Sequence, residues 1–326
     1  MEFRLDAGQV ELQQTVARFC ADRFPLDALG ARELAPVDRP AWAEMAGLGM
    51  FGLLLDEVAG GSGLGAVEGA LLFEQLGSHL VPGPVLWTVL AAPVVAGAAE
   101  GERLVGGVTA DAVEGGSVVV EHAADIDVLV VVREDAVVAH DTTGLAPPTA
   151  LDPLDPLTPV GRFDGLPAGS RVGGAEAAAE LRLLGTVLSA ALLVGVASRA
   201  LEVARAYAAE RRQFGVSIGS FQAVKHLLAD MYVRSTLAQS ATYAAAAVVH
   251  EPGGDPGRAA ATAKLLAAEA ALDNAGTAVQ VLGGMGFTWD MLPNYLLKRA
   301  WVLEQAFGAA DDHALHLGST LEAASR

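Results

Sequence analysis

Hydrophobic residues recur with a helical period through residues 1–98, and glycine-rich segments interrupt that pattern. Asp6 is positioned to cap a first helix whose apolar positions share one face. Those positions are Val10, Leu12, Val16 and Phe19. A second helix is predicted over 40–50, ending before the glycine-rich segment 56–65, and a third over 67–80. The first part of the chain is therefore expected to be helical.

Residues 99–174 differ in character, because short valine-rich runs alternate with turn-forming residues. This pattern is typical of the strands of a small β domain. The predicted strands are Leu104–Val108, Ser117–Val120, Val128–Val132 and Ala136–Ala139. The stretch 145–161 contains five prolines and has no regular period, so it is predicted to be an irregular edge or loop.

Long alanine- and leucine-rich segments return after residue 174 and predict a bundle of helices. The predicted helices cover 175–210, 220–250, 257–282 and 292–318, with a break at 250–257. The chain is thus expected to form three domains, at 1–98, 99–174 and 175–326.

Composition narrows the possible classes of function. With 326 residues, 52% hydrophobic and 18% charged, the chain is typical of a globular protein with much buried helix. A formal net charge of −18 argues against general binding of nucleic acid or of an anionic membrane. It leaves room for a local basic site that binds a phosphorylated cofactor.

Two uncharged runs, Leu80–Ala99 and Leu183–Ser198, could suggest membrane helices. Three prolines interrupt the first, and the second has 16 residues, fewer than the roughly 20 that span a bilayer. Both are predicted to be buried core. The N-terminus has no signal-peptide pattern, so we expect a soluble cytoplasmic protein. Cys20 is the single cysteine, which excludes an internal disulfide and a cysteine-based zinc cluster and suits a buried position.

Two strings in the C-terminal region carry the most information, RRQFGVSIGSFQ at 211–222 and QVLGGMGFT at 280–288. Together with WAEMAGLGMFGLLLDEVAGGSGLG at 42–65, they resemble segments of the acyl-CoA dehydrogenase family. The likeness runs from about residue 5 to residue 318. It implies a mostly α fold with a small β domain: an N-terminal helical domain, a shortened middle β domain and a C-terminal four-helix bundle.

The resemblance also implies a cofactor, since family enzymes hold FAD across a subunit interface. Arg211 matches an arginine that meets the pyrophosphate, a role that suits the guanidinium fork, and Phe214 matches a phenylalanine packed on the cofactor. Gly283 and Gly284 match glycines that let the backbone approach the ADP closely. The complete set implied to bind FAD is Arg211, Gln213, Phe214, Gln222, Gln280, Val281, Leu282, Gly283 and Gly284. Taken singly, each has a simpler alternative: a solvated arginine, a core phenylalanine or an ordinary glycine turn.

The glutamate that acts as base in the family has no counterpart at either known position. One position lies nine residues after an arginine, and counting from Arg299 reaches Gly308. The Gly-Thr pair that follows it in the family is Ala309–Ala310 here. The other lies 29 residues before Phe214 and is Gly185, followed by Thr186 in place of an arginine. Since glycine has no side chain to accept a proton, no residue of this chain is predicted to be catalytic.

Other ionisable residues near these positions are explained without catalysis. Glu304 and Glu180 are out of register with the base positions, and a solvated position or an intersubunit ion pair accounts for them. Asp311 and Asp312 are expected to be surface or capping groups. His313 and His316 share a helix face, but no third ligand is apparent, so no metal is predicted. The family's T-E-P-x-x-G-S-D-like segment is also missing; its nearest counterpart is VTADAVEGGS at 108–117.

The resemblance therefore implies one subunit of a heteromeric acyl-CoA dehydrogenase, similar to the two-subunit actinobacterial enzymes that degrade sterol side chains. A catalytic paralogue would complete an α2β2 heterotetramer and bind most of the acyl-CoA substrate. The resemblance favours a CoA ester with a bulky acyl group as that substrate, and an electron-transfer flavoprotein or similar protein as the electron acceptor. Two alternatives remain open: a self-sufficient homomeric enzyme with an unusual base, and a scaffold protein that has lost the flavin.

Overall fold

A computed structural model describes residues 5–110, 113–114, 116–251, 253–288 and 291–324. The chain divides into two compact units that interleave along the sequence. The first comprises residues 1–30, 70–81 and 186–326, and the second comprises 31–69 and 82–185. The division into three domains at residues 98 and 174 stays a prediction.

The N-terminal helices follow the predicted pattern closely. Helix α1, Ala7–Arg23, begins with a capping box in which the Asp6 carboxylate accepts from Gln9 N at 2.8 Å and Gln9 Oε1 accepts from Asp6 N at 3.1 Å. Cys20 is buried on its inner face. The remaining helices of this region are α2 (Arg39–Gly47), α3 (Ala66–Ser78) and α4 (Val85–Ala91). Helix α4 lies within the uncharged run 80–99, where no separate helix was predicted.

The second unit holds two four-stranded sheets. The strands are β1 (Val105–Thr109), β2 (Val113–Glu114), β3 (Ser117–Glu121), β4 (Val128–Val132), β5 (Ala136–Asp141), β6 (Thr149–Leu151), β7 (Val160–Asp164) and β8 (Ser170–Gly174). One sheet has the order β1-β4-β5-β8, with β1 and β4 parallel and the other pairs antiparallel. The second sheet is antiparallel throughout and has the order β2-β3-β7-β6. Side chains from both sheets, including Val120, Leu129 and Phe163, form one apolar cluster.

Four predicted strands correspond to β1, β3, β4 and β5, but the sequence did not reveal the remaining strands. Strand β6 interrupts the proline-rich stretch that was predicted to be irregular. It is short and lies at a sheet edge, where flanking prolines are tolerated. Strand β8 is glycine-rich and also lies at an edge. Edge strands need pairing on one side only, so their sequences carry weaker β signals.

The first unit contains most of the long helices. They are α5 (Ala175–Glu210, which begins in the second unit), α6 (Gln222–Val248), α7 (Pro256–Leu282), α8 (Leu292–Gln305) and α9 (Ala310–Ala324). Predictions for the first three are confirmed within two residues. The predicted single helix 292–318 is wrong, because the chain breaks between α8 and α9. Phe307 and Gly308 there have φ values of 58° and 96°, which an α-helix cannot accommodate.

Small residues allow these helices to approach closely. A Cβ built on Gly77 of α3 would lie 2.1 Å from Leu192 O of α5, and one on Gly195 would lie 2.1 Å from Glu74 O. Glycine at both positions lets the two backbones touch. Helix α5 is long and apolar enough to cross a bilayer by length and composition, yet 72% of its apolar window is buried inside the protein. That burial fits a core helix.

Candidate functional site

The segment after α5 forms a tight hairpin. Strand β9 (Arg212–Gln213) pairs antiparallel with β10 (Val216–Ser217), and the two residues between them, Phe214 and Gly215, have φ values of 52° and 83°. Two successive positive φ values are typical of the type I′ turn, whose twist matches that of a hairpin. Arg212 Nη2 donates to Gly215 O at 2.9 Å, and Gln213 Nε2 donates to Arg212 O at 2.8 Å. These bonds hold the tip in one shape.

The hairpin tip presents an aromatic side chain to solvent. Phe214 is 92% exposed although it is fully apolar, and its left-handed backbone conformation is strained for a non-glycine residue. Its ring meets the edge of Phe221 with centroids 6.3 Å apart. The core alternative for Phe214 is therefore wrong, and the exposed ring is available to contact another molecule.

Arg211 lies between the end of α5 and this hairpin, and its side chain is exposed. Both backbone polar groups of Arg211 are hydrogen-bonded: its N–H donates to Tyr207 O, and its carbonyl accepts from Ile218 N, each at 2.8 Å. A 3-10 turn, Ile218–Ser220, connects the hairpin to helix α6, which begins at Gln222, and this residue is also exposed. The N-cap residue, Phe221, has no polar side chain with which to cap the first turn.

The charge of this region is opposite to that of the whole protein. Residues 211–226 contain Arg211, Arg212 and Lys225 and no carboxylate, in a chain of net charge −18. The amino end of a helix adds a partial positive charge and free backbone N–H groups. The segment can therefore attract a phosphorylated ligand, although neither charge nor helix end alone identifies one.

The second motif forms a glycine turn at the end of α7. Gly283 has φ 68° and ψ −149°, a combination that is essentially restricted to glycine. A Cβ built on Gly284 would meet no atom of the chain within 4 Å, whereas one on Gly286 would lie 2.7 Å from Val279 O. Gly286 thus serves packing within the chain. Gly284 faces open space, where a ligand could approach the backbone.

The other predicted residues of this motif divide by exposure. Gln280 is exposed and its carbonyl accepts from Gly283 N, and Val281 is half-buried. Leu282 is only 4% exposed, so its side chain belongs to the core and only its backbone remains for a cofactor. The spacing of Ala275, Ala278 and Leu282 along the buried face of α7 could have revealed this from the sequence.

The two positions where the resemblance places a base, Gly185 and Gly308, differ in their surroundings. Gly185 lies buried within α5, next to Thr186, which is 8% exposed. Gly308 lies in the α8–α9 junction with φ 96°, and a Cβ there would lie 3.1 Å from His313 Nε2. Any other L-residue at 308 would meet both backbone strain and the imidazole.

Neighbouring ionisable groups are engaged in local structure. Glu304 Oε1 accepts from Ala310 N at 2.9 Å, and Asp312 Oδ2 accepts from Ala309 N at 3.0 Å, so both carboxylates bond amides around the start of α9. His313 Nε2 lies 3.1 Å from Phe307 O. Across the part of the chain that the structure describes, no group of three His, Cys, Asp or Glu side chains is arranged to hold a metal ion.

A separate cleft of about 610 Å³ lies within the second unit. Its walls come from α4 with the turn after it and from β8 with the first turns of α5, and its lining is mainly apolar. Glu180 lines this cleft and is half-buried. The counterpart sought for the flavin-ring segment, at 108–117, includes residues 111, 112 and 115, which lie outside the described residues.

Two family models match the chain. The acyl-CoA dehydrogenase N-terminal domain matches residues 6–100, and the acyl-CoA dehydrogenase C-terminal domain matches residues 174–320. The acyl-CoA dehydrogenase IpdE2 of Mycolicibacterium smegmatis is 33% identical over 267 residues, covering 80% of this chain and 81% of that protein. The chain belongs to the acyl-CoA dehydrogenase family. The predicted family and fold are confirmed, and an oxidoreductase class follows from them.

Further relatives differ in length and assembly. The acyl-CoA dehydrogenase FadE34 of Mycobacterium tuberculosis is 35% identical over 279 residues, which cover 80% of this chain but 39% of that protein. Among solved structures, the ChsE4-ChsE5 complex of Mycobacterium tuberculosis contains a chain with a TM-score of 0.88 and 27% identity, covering 99% of both chains. Butyryl-CoA dehydrogenase of Megasphaera elsdenii, at 19% identity and a TM-score of 0.84, shares the fold over 98% of this chain.

FAD is the cofactor of this family, and the geometry fits one part of it. The exposed Arg211, the unfilled space at Gly284 and the carboxylate-free segment 211–226 suit the ADP portion. The reacting side fits less well, because glycine stands at both positions where the family resemblance places a base, and a Cβ on Gly308 would crowd His313. Motif matching did not find Phe221, which braces the hairpin tip, or the exposed Phe287 beside the glycine turn.

Proposed function

We propose that this chain is a non-catalytic subunit of a heteromeric acyl-CoA dehydrogenase, lending the ADP-binding half of the FAD site to a catalytic partner. The observation that carries the proposal is the contrast at two glycines. Gly284 meets nothing within 4 Å, whereas Gly308 has a left-handed backbone with His313 against it. The first leaves room for a cofactor, whereas a side chain at the second would be strained by the backbone and crowded by His313.

The residues that would hold the cofactor have distinct roles. Arg211 would form charge-assisted hydrogen bonds with the pyrophosphate, and Phe214 would lose its exposed apolar surface against the ADP portion. Gln222 and Gln280 are exposed amides that can bond the ribose or adenine. Gln213 uses its amide nitrogen within the hairpin, so its carbonyl oxygen remains for the cofactor. Val281, Leu282, Gly283 and Gly284 would contribute their backbone.

The partner would be a full-length paralogue that holds the flavin ring, which accepts hydride in this family, and supplies the glutamate that removes the α proton. The likeness to a chain of the ChsE4-ChsE5 complex supports such a pairing. We infer an α2β2 assembly with one FAD per heterodimer. An exposed apolar face on α6, formed by Tyr232, Val233 and Leu237, each more than half exposed, supports association through the helical bundle.

The substrate class and the acceptor follow from the same likeness. We infer α,β-dehydrogenation of a bulky acyl-CoA thioester, such as a sterol side-chain ester, bound mostly by the partner. An electron-transfer flavoprotein or similar protein would reoxidise the flavin. No step of the reaction is assigned to a side chain of this subunit, whose role is to bind and orient the non-reacting end of the cofactor.

The test is to purify the chain alone and after co-expression with a full-length acyl-CoA dehydrogenase encoded beside it, measuring flavin absorbance and subunit ratio. We expect little flavin in the lone chain and one FAD per heterodimer in the complex. Stoichiometric flavin and turnover in the lone chain would establish the homomeric enzyme instead. A stable complex without flavin at any subunit interface would establish the scaffold alternative.

A further inference from the structure

One buried amide joins three helices of the first unit. Asn274 on α7 is fully buried, and its Nδ2 donates to Ala197 O of α5 at 3.3 Å and to Met231 O of α6 at 3.0 Å. The same nitrogen donates to Ser235 Oγ at 2.8 Å, while the amide Oδ1 accepts from Arg234 Nη1 at 3.0 Å. Carbonyls only accept and guanidinium groups only donate, so these partners leave the amide a single orientation.

The rest of the buried face of α7 is uniform. Its buried residues are mostly alanine, and alanine also recurs on the buried face of α6. Methyl groups form shallow ridges, so such faces pack closely but fix the position of one helix along another only weakly. Lys264, also buried on α7, bonds to carbonyls in and just after the last turn of α8 instead. The ion pair between Arg234 and Asp273 is partly exposed and contributes little in water. A buried asparagine fixes helix register well, because any slide breaks its hydrogen bonds in apolar surroundings.

This amide lies near the ends of α6 and α7 that carry the candidate site. Helix α6 begins at Gln222, after the hairpin and its 3-10 turn, and α7 ends just before the glycine turn. Few residues separate the two helices along the chain, so they run antiparallel. Met231 and Asn274 each lie about 12–14 Å along their helices from those ends, at about 1.5 Å per residue. The position of one helix along the other therefore sets the distance between Arg211 and Gly284.

We propose that Asn274 is a positioning residue, which fixes the register of α6 against α7 and so holds the two ADP-binding segments at the spacing that one cofactor requires. This role rests on the proposed function, since it needs both segments to contact the same FAD. Asn274 itself is buried in the bundle and would not touch the cofactor. It acts through geometry, because misplacing an oriented group by about 1 Å can cost roughly 100-fold.

Two substitutions separate register from stability. Asn274→Leu replaces the amide with an apolar group of similar volume, and Asn274→Ala removes the volume as well. The carbonyls that lose a donor lie within helices, where they also bond along the helix, and the Ser235 hydroxyl can bond a carbonyl of its own helix. The unfolding midpoint of Asn274→Leu should therefore stay near that of the parent, whereas Asn274→Ala should lower it by leaving a cavity. A change of register that both variants share then comes from the lost hydrogen bonds.

Register is measured in the full chain, without flavin, as the distance between spin labels on the two helices. Lys225→Cys on α6 and Glu269→Cys on α7 place the labels at exposed positions, and Cys20→Ala removes the native thiol. The parent should give one narrow distance distribution. Both Asn274 variants should broaden it or add a component shifted by about 1.5–5 Å, the rise of one residue to one turn. Thr242→Val, the matched control, removes a buried hydroxyl of α6 whose Oγ1 has no hydrogen-bond partner among the described residues, and should preserve the parent distribution.

Retention of FAD by the assembled complex, without labels, tests the consequence for the cofactor. Asn274→Leu should weaken retention by roughly 10-fold, and Thr242→Val should leave it unchanged. A parental distance distribution in both Asn274 variants would overturn the proposal, and so would an altered distribution with parental flavin retention; either result leaves the proposed function standing. A parent complex that holds no flavin would instead overturn the proposed function, and the positioning role with it.

Discussion

The glycine turn after α7 and the α8–α9 junction both place glycine at a position to which the family resemblance assigns a role, yet the surroundings differ. At Gly284 nothing approaches within 4 Å. At Gly308 the imidazole of His313 lies against the backbone, and Lys264 and Glu304 bond the atoms on either side. Backbone polar groups that are shielded from water need hydrogen-bond partners. Under the proposed function, the glycine at the position of the base is surrounded by contacts within the chain, whereas the glycine assigned to the cofactor faces open space.

The largest effect is expected at the exposed residues assigned to the cofactor. Arg211→Ala should weaken FAD retention in the assembled complex by roughly 10- to 150-fold, because a charge-assisted contact contributes about 1.5–3 kcal/mol. Flavin release on dilution, followed by fluorescence, measures it. Arg258→Ala removes an equally exposed cation at the start of α7 and should leave retention unchanged. Equal retention in both variants would remove Arg211 from the site.

Gly284→Val tests whether the open space belongs to a ligand. A Cβ at this position meets no atom of the chain within 4 Å, so thermal stability of the free subunit should be nearly unchanged while FAD affinity falls at least tenfold, about 1.4 kcal/mol. Gly276→Val, on α7 and equally free of close neighbours, is the matched control for a new branched side chain. If both variants bind flavin like the parent, the glycine turn does not face the cofactor.

Gly308→Ala tests the α8–α9 junction, where contacts within the chain surround the glycine. The left-handed backbone should make it destabilising by about 1–2 kcal/mol, measured by denaturant unfolding. Gly318→Ala, in α9 with nothing within 4 Å, should instead be neutral or slightly stabilising, since alanine favours a helix. Gly308→Glu should likewise lose stability and give the lone chain no dehydrogenase turnover. Turnover in that variant would show that the position can still accept a base.

The smallest effect is expected at the carboxylates nearest Gly185 and Gly308, the two positions where the family resemblance places a base. Glu180→Gln and Glu304→Gln, made in this subunit within the complex, should each keep the rate of flavin reduction within about threefold of the parent, or about 0.65 kcal/mol of barrier. Stopped-flow single-turnover reduction measures this with FAD still bound. A collapse in either variant would place the base in this chain and favour the homomeric enzyme.

Much of the fold could be predicted because its helices are long and their ends carry local signals. Asp6 marks the start of α1, and Pro256 marks that of α7. The break between α8 and α9 could not be predicted in the same way. Phenylalanine gives no sign of a left-handed conformation, and the contacts that hold it, from Lys264 and His313, come from residues distant or C-terminal to it. Tertiary contacts override local propensity there.

The candidate site shows the same limit at the level of single residues. The family resemblance singled out Arg211 and Gly284, whose backbone and exposure suit a cofactor, and left out Gly286, which serves packing against Val279. It also included Leu282, whose side chain lies in the core. A motif records which residues accompany a function, and only the packing around each shows how it takes part.

The left-handed turn at Gly308 limits how this subunit can evolve. Under the proposed division of labour, a codon change that restores a base at this position would also strain the backbone and crowd His313. Each contact that stabilises the junction adds to the stability that would be lost if a side chain were restored at this position. The gene for this subunit is therefore expected to be inherited alongside the gene for its partner, and to be lost with it.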